Sequence, residues 1–139
     1  MTIILRLALA FALAVLPLTS FAQEAAPAAT AQAAPRATVI DFQSEAQVNE
    51  LAAQGKTVVF FYAAWCPNCR ATITELNARF EEVNPDLTLV IADYDKEAAL
   101  KSKFGVTYQD TFVLVDDKGD FVKSWNSGGV DGLNSNSAS

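Results

Sequence analysis

The sequence predicts an α/β fold, a central mixed β-sheet flanked by helices, and three observations carry that expectation. Two short runs, 57–62 and 87–92, are rich in Val, Ile and aromatic residues and hold no charge until their ends, as strands buried on both faces are. Segments with apolar residues at three- and four-residue steps separate them. Two further runs, 111–115 and 120–125, flank Asp116-Asp117-Lys118-Gly119, which suits a tight antiparallel turn. With 139 residues, 51% of them hydrophobic and 19% charged, the chain can build one core and has little room for a second.

In order, residues 38–41 are a short extended run. Ser44 then caps a helix, Gln47 completes a capping box, and Val48, Leu51 and Ala52 supply its apolar face before Gly55 ends it. The strand at 57–62 leads straight to Cys66. Beyond it Ile73, Leu76, Phe80 and Val83 mark one long amphipathic helix, stopped by Asn84-Pro85, so that Cys66 sits at a helix N-terminus. The strand at 87–92 is followed by a short helix, 96–104, that Gly105 closes. Strand, helix, strand and helix thus alternate as in a parallel layer with a right-handed crossover, and the hairpin makes the sheet mixed. Beyond Trp125 the composition falls to Asn, Ser and Gly with only Val130 and Leu133 large and apolar. Residues 127–139 are therefore expected to form a loose tail, with a C-terminal helix missing or truncated.

The first 22 residues differ in kind. Arg6 gives a weakly positive start, an apolar stretch covers 7–18, and Ser20-Phe21-Ala22 places small residues where a signal peptidase needs them. This pattern predicts a secretory signal peptide over 1–22, removed before Gln23, and hence a periplasmic or secreted protein. The competing reading is an uncleaved anchor, but the apolar stretch is shorter than the roughly 20 residues that span a bilayer, so no stable membrane span is expected after cleavage. Residues 23–37 are almost entirely Ala, Pro, Gln and Thr, a flexible linker, and the folded domain is placed at 38–126. Without Arg6 the chain keeps 9 basic against 16 acidic residues, a net charge of −7. With no His, no Gly-rich phosphate loop and no basic stripe, nucleic acid is excluded as a partner class.

The chain has two cysteines, three positions apart. A disulfide there closes a very short loop and removes little unfolded-state entropy, so a reactive pair explains them better than a staple. A thiolate attacks disulfides, and the unpaired amides of a helix N-terminus stabilise one at Cys66. Cys69, one turn later, is placed to attack a mixed disulfide and release the partner. Pro67 suits the first helical turn, where its missing N–H costs nothing, and Asn68 is the other residue that tunes the potential.

The segment Phe60-Phe61-Tyr62-Ala63-Ala64-Trp65-Cys66-Pro67-Asn68-Cys69 resembles the active-site strand, loop and helix start of the thioredoxin superfamily, and the resemblance runs from about residue 38 to 125. It implies a thioredoxin-like fold, Cys66 as nucleophile, Cys69 as resolving thiol, and protein disulfides as substrates. No cofactor is implied. Trp65 either shapes the docking surface or is core, and Arg70 either favours the Cys66 thiolate or is solvated helix surface.

The sequence also departs from that family. A buried Asp six positions before the first Cys is replaced by Phe60, and its accompanying Lys by Ile91. The family's cis-Pro, which a Thr follows, aligns with Asp110 and Thr111. If the loop keeps family geometry, Asp110 lies near Cys66, disfavours its thiolate and makes the protein a reductant; the alternative is a turn cap facing solvent. A carboxylate there also raises the prospect of a Cys66, Cys69 and Asp110 site for copper or zinc. The reading drawn from the sequence is an exported thiol-disulfide oxidoreductase that reduces protein disulfides, with a membrane electron donor implied by family analogy. Its rivals are a metal carrier using the Cys pair and a non-catalytic thioredoxin-like binding module.

Overall fold

The computed structural model describes residues 35–138; the expected signal segment and most of the expected linker lie outside them. Five strands form one sheet in the order β1-β3-β2-β4-β5. They are β1 (Thr38–Asp41), β2 (Lys56–Tyr62), β3 (Leu87–Asp93), β4 (Thr111–Val115) and β5 (Phe121–Asn126). β1 and β2 lie parallel to β3 on either side of it, whereas β4 runs antiparallel to both β2 and β5. The expected mixed sheet is therefore present, with β2 at its centre.

Because successive strand residues point to opposite faces, the uncharged run in β2 divides between two cores. Val58 and Phe60 join Phe112, Leu76, Leu133 and both cysteines on one face, while Val59 and Phe61 join Val48, Leu100 and Phe104 on the other. Helices α1 (Glu45–Gln54) and α3 (Ala98–Phe104) cover the second face, and α2 (Pro67–Ala78) and α4 (Gly129–Ser137) the first. Ser44 caps α1 by accepting from the Gln47 N–H at 3.2 Å, and Gln47 in turn accepts from the Gln43 N–H at 2.8 Å. Gly105 closes α3 at a φ of 65°, a left-handed conformation that glycine adopts without strain.

Two expectations are corrected. The helix after Cys66 is not continuous to Asn84: α2 ends at Ala78, and a 3-10 turn, Phe80–Glu82, follows. The segment expected to be a loose tail forms α4. Val130, Leu133 and Ser137, three and four residues apart, are its buried stripe, a short repeat that the polar residues around it mask in the sequence. The rest of α4 is held by polar bonds that composition does not reveal. Glu75 accepts from the Val130 N–H at 3.2 Å, Asn134 donates to the Glu82 carbonyl at 2.7 Å, and Arg79 pairs with Asp131 at 2.9 Å. Gly129, where α2 and α4 meet, has a φ of 51°, a left-handed conformation that favours glycine, and a Cβ there would displace the Glu75 carboxylate. Among the described residues no helix is long and apolar enough to cross a membrane.

Candidate active site

β2 delivers the chain to a tight turn in which the Cys66 N–H donates to the Ala63 carbonyl at 3.1 Å. Cys66 is then the N-cap of α2, with extended backbone, and its sulfur accepts from the Cys69 N–H at 3.4 Å. A cysteine thus takes the place that Ser or Asp usually fills at a helix start, and Pro67 opens the first turn as its fixed φ favours. Cys69, fully buried, accepts from the Ala63 N–H at 3.5 Å. Both sulfurs are free thiols.

The two thiols are pushed apart. Burial pulls Cys66 upward, but hydrogen bonds from the Cys69 N–H, the Cys69 thiol, the Asn68 N–H and the Gln109 side chain outweigh it and leave Cys66 below its usual value. Cys69 is raised to about 11, first by burial, with the Ala63 N–H opposing and the Cys66 sulfur and the Asp110 charge adding to the rise. The pair therefore holds one thiol ready to ionise and one that keeps its proton. That asymmetry separates an attacking sulfur from a resolving one.

Around the pair, the structure decides several readings left open. Trp65 is 56% exposed and so is not core; its Nε1 donates to Asp95 Oδ2 at 2.8 Å, which pins the ring beside Cys66. Tyr108 is exposed as well. Arg70 donates to the Ala64 carbonyl at 3.0 Å, and no bond joins it to Cys66. Pro67 and Asn68 are exposed at the helix start. Thr111 is buried, donating to the Tyr108 carbonyl and accepting from Asn126 at 2.7 Å each.

Asp110 is not a solvent-facing cap. It is 3% exposed, its φ is 59°, and no peptide bond among the described residues is cis. The left-handed backbone turns the carboxyl toward α2, where Thr72 and Ser127 hydroxyls donate to its two oxygens at 2.9 Å each. Its charge accordingly bears on Cys69, and the expectation that it raises Cys66 is corrected. The Cys66, Cys69 and Asp110 metal site is corrected too: among the described residues no three Cys, Asp, Glu or His side chains cluster closely enough to hold an ion. Phe60, where the family has an acid, stacks on Phe112 with ring centroids 4.3 Å apart.

The sequence reading missed Asp95, Gln109, Thr72 and Ser127. Thr72 had a signal, three residues beyond Cys69 and so on its helical face. The other three reach the site through loop geometry, which leaves no periodic trace.

A model of the family described as Thioredoxin matches residues 36–135. The thioredoxin-like protein CXXS1 of Oryza sativa subsp. japonica is 35% identical over 75 residues, 51% of this chain and 53% of that protein, so the chain spans about half the length of this curated relative. The structure of Fasciola hepatica thioredoxin is similar at 28% identity and a TM-score of 0.56, covering 68% of this chain and 88% of its own. Thioredoxin NaTrxh of Nicotiana alata is similar at 26% identity and a TM-score of 0.60, covering 75% and 93%. At 18% identity, the thioredoxin of Malassezia sympodialis shares the fold, with a TM-score of 0.62 over 76% of this chain and 93% of its own.

Proposed function

The chain belongs to the thioredoxin family, and on that premise we propose that it is an exported reductant of protein disulfides. The observation that carries the reading is the division of the pair, a buried Cys66 held below its usual value at a helix start beside a Cys69 raised to about 11. The Cys66 thiolate attacks one sulfur of a partner disulfide, and the partner's other sulfur leaves as a thiol. Cys69 then attacks Cys66, the remaining partner sulfur departs reduced, and the pair closes as a disulfide. Resetting the pair needs two electrons from a dithiol donor; family analogy supplies a membrane protein in that role.

Support for the reducing direction comes from the burial and the Asp110 charge that raise Cys69, which disfavour a doubly ionised pair. The test is the reduction potential in glutathione or dithiothreitol buffers, read by thiol trapping. A value near the thioredoxin level of about −270 mV is expected, and one near −120 mV makes the protein an oxidant.

Export rests on the apolar stretch at 7–18 and the Ser20-Phe21-Ala22 site. Expression of the full chain in a bacterium, followed by fractionation and mass measurement, is expected to give a periplasmic species that begins at Gln23. A cytoplasmic species retaining Met1 overturns the localisation and leaves the redox assignment intact.

A further inference from the structure

Beside the two thiols, Asp110 is the only buried ionisable side chain among the described residues. A carboxyl taken out of water needs hydrogen bonds to hold it, and those from Thr72 and Ser127 engage both of its oxygens. Its backbone is fixed as firmly: the N–H donates to the Phe61 carbonyl at 3.0 Å and the carbonyl accepts from the Ser127 N–H at 3.1 Å. Thr72 lies one turn beyond Cys69 on the same face of α2. The carboxyl is thus bracketed to the helical turn that starts at the second thiol. A cleft of about 460 Å³, lined in part by Asn68, Thr72, Asp110 and Ser127, opens beside it to solvent.

The ionisable groups that share this region are Cys66, Cys69 and Glu75 on α2 and Asp131 on α4. Glu75 and Asp131 both pair with Arg79, which also pairs with Glu82, so one guanidinium partly offsets three carboxylates at the surface. Asp110 is held by hydroxyls instead, which orient its charge without cancelling it.

We propose that Asp110 is a positioning residue for Cys69: bracketed through Thr72 to the turn that follows it, the buried carboxyl sets when the second thiol gives up its proton and so when a partner is released from Cys66. This rests on the reading that the pair exchanges disulfides. Before attack, negative charge at Cys66 and at Asp110 both keep Cys69 a thiol, which leaves Cys66 the sole nucleophile. Once Cys66 is joined to a partner its charge is gone, and Asp110 is the remaining charge against which Cys69 must ionise. The Cys69 proton then passes to solvent, the Cys69 sulfur bonds to Cys66, the bond from Cys66 to the partner breaks, and the partner sulfur leaves as a thiolate that takes up a proton. The pair is oxidised and the partner disulfide reduced.

The full chain carrying Cys66→Ser has no charge at position 66, as in the mixed disulfide, and the carbon-13 shift of the Cys69 Cβ followed against pH reads the proton directly. Adding Asp110→Asn keeps the side-chain shape and suits a positive φ. The Cys69 midpoint is expected to fall by about half a pH unit, which gives about threefold more thiolate at any pH well below it. Asp110→Gly also suits the backbone and removes the carboxyl together with its hydrogen bonds, and it is expected to move the midpoint the same way. If Asp110→Asn leaves the midpoint unmoved while Asp110→Gly shifts it, the residue is a structural bracket and the proposal fails. It fails equally if neither variant moves it. Because no turnover is read, loss of the disulfide-reductase reading and loss of this one show up in separate experiments.

Discussion

Replacing Cys66 with serine is expected to lower the rate of disulfide reduction by about a thousandfold or more, because a serine hydroxyl at the same helix start does not ionise near neutral pH. Cys69→Ser is expected to behave differently. It keeps a hydroxyl to donate toward the Cys66 sulfur, and the backbone bond from residue 69 is untouched, so most of what holds Cys66 below its usual 9.0 survives. The variant therefore attacks partner disulfides and cannot release them. Incubation with oxidised insulin is expected to accumulate a mixed disulfide that reducing agent dissolves.

The pH profile supplies the sign. Attack needs the Cys66 thiolate, so alkylation by iodoacetamide rises with pH with a midpoint below 9.0, the ordinary thiol value. A midpoint above that value shows that burial, which pulls Cys66 upward, dominates the hydrogen bonds. Equal residual activity in Cys66→Ser and Cys69→Ser removes the division of roles between the two sulfurs.

The parts of the fold legible in the sequence share a cause. Strands β2 and β3, the cap at Ser44, the stop at Gly105 and the turn at Asp116–Asp120 each depend on residues within a few positions of one another. There, Asp116 accepts from the N–H groups of Lys118 and Asp120 at 2.9 Å each. The pair at Cys66 and Cys69 was equally local, since its chemistry needs only a strand, a turn and a helix start in that order. What escaped depends on distant partners. α4 is weak by composition and forms because Glu75, Glu82 and Arg79 meet it from more than 50 residues away. Asp110, at a φ of 59°, turns its carboxyl to the hydroxyls of Thr72 and Ser127, and no neighbouring residue type announces that angle. The same lesson applies to Trp65, whose exposure depends on Asp95 in the turn after β3.

Phe112→Ala is expected to cost about 3–5 kcal/mol of stability, the range for removing a buried aromatic ring from a core. Phe112 is fully buried at the centre of a stack: Phe60 lies on one side at 4.3 Å and Trp125 on the other at 5.5 Å, each ring within 16° of parallel. The three residues face one another across β2, β4 and β5 in register, so the stack ties the central strand to the edge. Loss of the middle ring leaves a cavity beneath the cysteines and takes from Trp125 the contact that compensates its burial. The indole Nε1 of Trp125 is already a buried donor without a partner among the described residues, so no polar bond holds that ring in place. Urea denaturation of the dithiol form reads the loss directly, and Phe121→Ala is the control, since Phe121 is 48% exposed and is expected to cost far less. Where the family keeps a carboxyl under the second thiol, this chain has packed that space with aromatic rings, so stability beneath the site and proton control beside it fall to different residues, Phe112 and Asp110. Phe112→Ala with a cost no larger than the control shows that the sheet carries the stack's share by other contacts.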